Sequence, residues 1–172
     1  MYAQLTSINS RTAESPLPAL AADAGRPGFS AGFAMTHVAG GEHTVLTLWN
    51  DAESAGDGCY EVIHQDLRSG AHGAANIIHF ATPISDETRA AAEFAGEHRL
   101  TPYARTLDGV GGVVVLWDDR RRAMKAVSFA TDLDRLSAVG AALNSMELLP
   151  GEDPALLPVV DHVDVFRVAE SR

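Results

Sequence analysis

A strand that runs into an acidic helix start occurs twice in this chain. Thr44-Val45-Leu46-Thr47-Leu48-Trp49-Asn50-Asp51 leads into Ala52-Glu53-Ser54-Ala55, and Met124-Lys125-Ala126-Val127-Ser128-Phe129-Ala130-Thr131 leads into Asp132-Leu133-Asp134-Arg135-Leu136. At a spacing of eighty positions Trp49 falls on Phe129 and His37 on Trp117. An internal repeat of this kind predicts two similar α+β halves, each too small to bury its apolar face alone. Packed sheet to sheet, two such halves enclose a cavity, so the repeat bears on function as well as on fold.

The remaining pattern fills in each half. Residues 2–8 read as a strand closed by Ser10-Arg11-Thr12, and 15–24 as a short helix with Ser15 as cap and Pro16 in its first turn. Residues 29–38 and 43–50 read as a hairpin turned by Ala39-Gly40-Gly41-Glu42. Its second strand is apolar on both faces, which predicts a sheet covered on both sides. The helix after Asp51 halts at Gly56-Asp57-Gly58, so the first half has a degenerate second helix, and 59–67 is a strand. The linker is Arg68 to Gly73. In the second half, strands are expected at 76–82, 110–117, 122–130 and 163–168, with helices at 86–99 and 132–146 and a Pro-rich bridge over 152–160. Both halves, 1–70 and 74–172, are then β-α-β-β-α-β, an α+β fold of tandem ferredoxin-like repeats.

Composition excludes several functions. The net charge of −10 argues against nucleic acid, whose phosphates need a basic face. The basic run Arg120-Arg121-Arg122 falls in an expected turn and reads as solvated. A single cysteine, Cys59, rules out an internal disulfide, fits a reducing compartment, and is read as an inert thiol. No apolar run reaches the ~20 residues of a membrane span, and the first residues lack a signal-peptide pattern. A cytoplasmic protein is expected, and the near absence of lysine suggests a GC-rich bacterial genome. Nucleotide-binding motifs are missing.

Leu46 to Ala55 and the closing segment Asp161-His162-Val163-Asp164-Val165-Phe166-Arg167-Val168 resemble antibiotic biosynthesis monooxygenase-like domains. The resemblance implies two such domains fused into a pseudo-dimeric α+β barrel within one polypeptide. It implies a small aromatic ligand, and chemistry drawn from cofactor-independent oxidation of polyketide-like aromatics, heme degradation or cyclisation. The quinone-forming members use an Asn/Trp/Tyr pocket, to which Trp49 and Asn50 are the nearest residue types, although adjacent residues of a strand face opposite ways.

Candidate catalytic residues are His37 and His64, histidines on largely apolar faces that suit a base near neutral pH. Candidate substrate-binding residues are Trp49, Asn50, Tyr60 and Trp117. Tyr60 and His64 share a face by strict alternation, and His79 is a further neighbour. Each has a plain alternative: Trp49 as a core tryptophan, His37 as a core histidine. No pair of histidines has metal-ligand spacing, although His37 and His43 flank one turn, so no metal and no cofactor are expected. Two functions follow: a cofactor-independent monooxygenase, with the substrate anion reducing oxygen itself, or a non-catalytic binding or interaction protein. A heme-binding or heme-degrading protein is a third. The chain is expected as a monomer with an internal pseudo-dimer or as a homodimer, without nucleic-acid or membrane partners.

Overall fold

The doubly apolar strand after Glu42 has a simple cause: one of its faces points into a closed barrel and the other lies beneath a helix. The computed structural model describes residues 1–9, 15–70 and 72–172, so the break at 10–12 and Ala71 of the linker lie outside the described residues. Eight strands form the barrel: β1 (Tyr2–Asn9), β2 (Phe29–His37), β3 (Glu42–Trp49), β4 (Tyr60–Leu67), β5 (Ala74–Phe80), β6 (Val110–Asp118), β7 (Ala123–Ala130) and β8 (Val160–Ser171). All neighbours are antiparallel, in the closed order β1-β3-β2-β8-β5-β7-β6-β4. Strands one to four run in the order β4-β1-β3-β2, and strands five to eight in the order β8-β5-β7-β6. The fold is α+β, a ferredoxin-like α+β barrel. Pairing of β2 with β8 and of β4 with β6 joins the two sets. The sheet edges that the sequence left available to another copy are thus used inside the chain, and closure removes them.

The interior is filled by the chain's own side chains. Phe33, Met35, Leu46, Leu48, Val114, Leu116, Val127, Phe129 and Phe166 form one buried cluster, with Ala3 and Ala75 where the larger groups need room. Phe33 and Phe129 meet at 4.2 Å between ring centroids. Burying each such side chain contributes about 2 kcal/mol. Close approach of β4 to β6 has a backbone signature at Gly112: its φ is +126°, and a Cβ there would stand 2.1 Å from the Asp66 carbonyl oxygen. A register shift in β6 beside Gly112 accompanies it.

Helices cover the outer face. Beneath α1 (Leu17–Ala24), Leu20 meets Ala34 and Val45. Beneath α5 (Leu133–Asn144), Leu136 meets Ala74 and Ala130. Near α3 (Asp86–Ala95), Trp117 and Met124 pack with Ile84 and Ala92. The short α2 (Ala52–Ala55) is a single turn ended by Gly56 at φ +85°, as its sequence predicts. Two helix expectations need correction. Residues 96–100 are a π-helical stretch that leads into α4 (Thr101–Ala104), so the helix expected over 86–99 is helical throughout but changes its hydrogen bonding after Ala95 and continues past residue 99. Ser15 does not cap α1; Pro16 holds that position, although the Leu17 N–H reaches the Ser15 hydroxyl. None of the described helices is long and apolar enough to cross a membrane.

The two strand-to-helix steps align at a spacing one residue longer than the expected eighty. Asp51 and Asp132 play the same part, each accepting the N–H of the residue three further on, and they stand eighty-one positions apart. Leu48, not Trp49, therefore corresponds to Phe129, and Trp49 corresponds to Ala130. A shift of one residue in a strand exchanges the two faces. His37 likewise corresponds to Asp118, not to Trp117.

Candidate functional site

Polar side chains gather at one end of the barrel, on strand positions that alternation turns inward. On β2 the sequence Phe33, Met35, His37 continues the interior face, and on β5 Ala75, Ile77, His79 does the same. On β7, Phe129 and Val127 are followed outward by Lys125, and on β8, Phe166 is preceded by Asp164 and His162. Register brings them together. His79 pairs with Lys125 on one side and with His162 on the other, and His37 pairs with Phe166. The Lys125 ammonium lies 5.5 Å from the centre of the Tyr60 ring.

Asp164 is the centre of this cluster. His79 Nε2 stands 3.1 Å from Asp164 Oδ2, His162 Nε2 3.8 Å from the same oxygen, and His37 Nε2 3.6 Å from Oδ1. The rings of His79 and His162 are stacked, 4.0 Å apart and 15° from parallel. Two hydrogen bonds fix tautomers. His37 Nδ1 accepts the Ala39 N–H at 3.1 Å, which leaves the His37 proton on Nε2, facing Asp164. His162 Nδ1 lies 2.8 Å from Asp161 Oδ2. A carboxylate only accepts, so this nitrogen carries hydrogen and Nε2 of a neutral His162 is free. His79 Nε2 is buried and, despite its distance from Asp164, has no partner in hydrogen-bonding geometry. Burial lowers the His79 pKa, the charges of Lys125 and His162 lower it further, and Asp164 opposes them.

The structure separates the residues that the sequence grouped. His37 and Tyr60 belong to this barrel end. His64 does not: a β-bulge between Val62 and His64 turns it to the outer face, where Nε2 meets the Thr101 hydroxyl at 2.9 Å. Strict alternation had put Tyr60 and His64 together, and one inserted residue undoes that. Trp49 and Trp117 also point outward. Trp49 is fully buried beneath the Arg26 guanidinium, edge-on to Phe29, with its N–H donated to the Thr47 hydroxyl at 3.0 Å. Trp117 lies between Arg89 and Arg122, at 4.8 and 5.0 Å from its ring centre. Arg122 also pairs with Asp86, so part of the basic run packs and is not only solvated. Asn50 is exposed, just past the end of β3. His43 bonds the Thr36 hydroxyl on the outer face and does not meet His37.

Sequence reasoning missed His162, Asp164 and Lys125. The alternation of β8 was legible, and its inward face could have been assigned from Phe166. The pairing of β8 between β2 and β5 could not. A surface depression of about 260 Å³, lined by residues such as Pro83, Ile84, Leu157 and Val159, lies outside the barrel and carries no titratable group.

No protein-family model matches the chain, and no curated protein matches it in sequence. Solved structures do match in fold. A major regulator of staphylococcal pathogenesis superposes with a TM-score of 0.69 at 9% identity, over 99% of this chain and all of that one. A ferredoxin-fold protein from Listeria monocytogenes related to antibiotic biosynthesis monooxygenases gives 0.63 at 9% identity, over 98% and 94%. An anthrone oxidase-like protein gives 0.60 at 12% identity, over 99% and 92%. The chain thus has the fold of the monooxygenase-like ferredoxin-fold proteins, as the resemblance implied.

Proposed function

We propose that the chain binds a small acidic aromatic molecule, such as a phenol or anthrone, at the polar barrel end and promotes its oxidation by dioxygen. The observation that carries this reading is the position of Lys125. Its ammonium faces the Tyr60 ring and neighbours His79, while the interior beyond is apolar and filled. An aromatic anion there gains the Lys125 charge, ring contact with Tyr60, and a proton acceptor in the unpartnered His79 Nε2. We read the chain as two fused halves, 1–70 and 74–172, a division supported by the strand order they share.

In this reading His79 removes a proton from the ring methylene opposite the carbonyl of an anthrone, whose anion is delocalised onto that carbonyl oxygen through the flanking aromatic rings. The resulting anion gives electrons to dioxygen and forms a hydroperoxide at that carbon. Loss of water leaves a new carbonyl, so one oxygen atom enters the product and the other leaves as water. The methylene is oxidised by four electrons and dioxygen is reduced by four. His37 is not the base in this reading, because its Nδ1 accepts the Ala39 N–H and its Nε2 carries the proton.

The test is dioxygen uptake with an anthrone, without added cofactor and with chelator present, beside equilibrium binding of the same compound. Saturable binding weakened about tenfold or more in Lys125→Met, with uptake lost in His79→Gln, supports the reading. Absence of saturable binding overturns it. The filled barrel favours a second reading, a non-catalytic binding protein. Binding that depends on Lys125 but gives no oxygen uptake selects that one.

A further inference from the structure

The barrel end holds a second arrangement that needs no aromatic ligand. We infer that His79, His162 and Asp164 form a binding site for a first-row divalent transition metal, a two-histidine, one-carboxylate set with open positions. The inference does not rest on the proposed oxidation.

Its geometry comes from three side chains on two paired strands. One ligand atom from each of His79, His162 and Asp164 can be chosen so that all lie within 4.8 Å of one another. Around a metal with bonds near 2.0–2.2 Å, tetrahedral ligand atoms stand about 3.4 Å apart. His79 Nε2 and Asp164 Oδ2 are already at 3.1 Å and His162 Nε2 is at 3.8 Å from that oxygen, but the stacked rings hold their in-plane lone pairs nearly parallel, so His162 must turn out of the stack to close the set. His162 is the ligand free to do so, since its side chain is 54% exposed. Two imidazoles and a carboxylate suit zinc or iron(II), and are too rich in nitrogen for magnesium or calcium.

Two independent features point to a ligand here. First, His79 Nε2 is buried 3.1 Å from Asp164 Oδ2 without a well-aligned hydrogen bond to it, so its bonding capacity is poorly used as it stands. Secondly, the surrounding hydrogen bonds are those a metal site needs. Asp161 takes the Nδ1 proton of His162 and aims Nε2 at Asp164, as outer carboxylates do for zinc-bound histidines. His37, with its Nδ1 accepting from Ala39, turns an N–H toward the other Asp164 oxygen from 3.6 Å, beyond hydrogen-bond reach, and is no ligand. Lys125 opposes a cation, being the positive side chain next to His79. No spacing announces the site, because the two histidines sit on strands remote in the chain and only the β5–β8 register makes them neighbours.

The experiment is titration of chelator-treated full-length protein with cobalt(II), followed by its visible absorption, and with zinc by calorimetry. One equivalent is expected to bind, with affinity reduced at least tenfold in His79→Ala and in His162→Ala. His162 is half exposed, so its variant tests the site without threatening the fold. Asp161→Asn is expected to cost 10–100-fold through lost orientation. Lys125→Met is expected to raise affinity, a change that a purely structural role would not produce. His43→Ala, on the outer face, is expected to bind as the parent does. No binding tighter than millimolar, or binding indifferent to His162→Ala, overturns the inference. Because no substrate is present, this result is separate from the oxygen-uptake test. In the metal-loaded protein His79 would be a ligand and not a base.

Discussion

Leu48 and Phe129 hold equivalent places in the two hairpins: each faces the barrel interior, and each is paired across its strand with an alanine, Ala3 and Ala75. The large group of one strand fills the space left by the small group of the next. Phe129→Ala is expected to cost about 3–5 kcal/mol and Leu48→Ala about 2–5 kcal/mol in urea unfolding, from lost contact and the cavity left behind. Phe33 touches Phe129, so the double variant Phe33→Ala/Phe129→Ala should depart from additivity. A cost below about 1 kcal/mol for Phe129→Ala would mean that the barrel centre is loosely filled.

The order of strands and helices was legible from periodicity, and so was the double coverage of β3. The inward face of each strand was not always so. At Tyr60 and His64 the sequence has perfect alternation, and the bulge after Val62 that separates them leaves no local mark. At Trp49 a spacing of eighty sets a tryptophan over Phe129 and reverses its face. The cap residues Asp51 and Asp132 were the better guide, because a helix start fixes register while aromatic size does not. The barrel-end cluster depends on the pairing of β2 with β8 and of β8 with β5, and that is set by closure and not by any segment alone.

Arg99 and Glu152 form a buried ion pair, Nε to Oε2 at 2.8 Å, that ties the π-helical stretch to the Pro-rich bridge. Burial alone would push the Glu152 carboxyl up, but the Leu149 N–H and the Arg99 guanidinium outweigh it and hold the pKa below the usual 4.5. The unfolded chain therefore takes up the proton first. The pair's stabilisation is full above about pH 4.5 and is lost as pH falls through the lower folded value. Arg99→Ala is expected to cost about 3 kcal/mol at neutral pH, since it strands a buried carboxylate. Glu152→Gln should flatten the acid limb of the stability profile. An acid limb identical to that of the parent protein would show that other carboxylates govern it.

Trp49 spans the contact between the outer sheet face and the Arg26 guanidinium, 4.5 Å from its ring centre. Trp49→Phe gives up the hydrogen bond to Thr47 and part of the buried ring. A loss of about 1–2 kcal/mol in thermal or urea unfolding is expected. Binding of an aromatic anion at the barrel end should be unchanged, because Trp49 faces away from it. Loss of that binding in a well-folded Trp49→Phe protein would restore the tryptophan as a pocket wall.

His72 closes the other side of the interior aromatic group, edge-on to Phe33 at 5.1 Å and to Phe129 at 5.4 Å. Burial pushes its pKa below the usual 6.5, and the Gly111 carbonyl, 3.3 Å from Nε2, offsets part of that. The folded protein thus binds this proton less readily than the unfolded chain. Stability should begin to fall as pH drops below about 6.5 and should level once the folded histidine is also protonated. The slope due to one such group is at most about 1.4 kcal/mol per pH unit. His79, lowered for similar reasons, adds a slope of the same sign. His72→Phe keeps the aromatic packing and removes its own share, so denaturant midpoints between pH 7.5 and 5.5 should converge relative to the parent protein. An unchanged slope would mean that the His72 ring protonates in place at little cost, and that the Phe33–Phe129 pair does not depend on its neutrality.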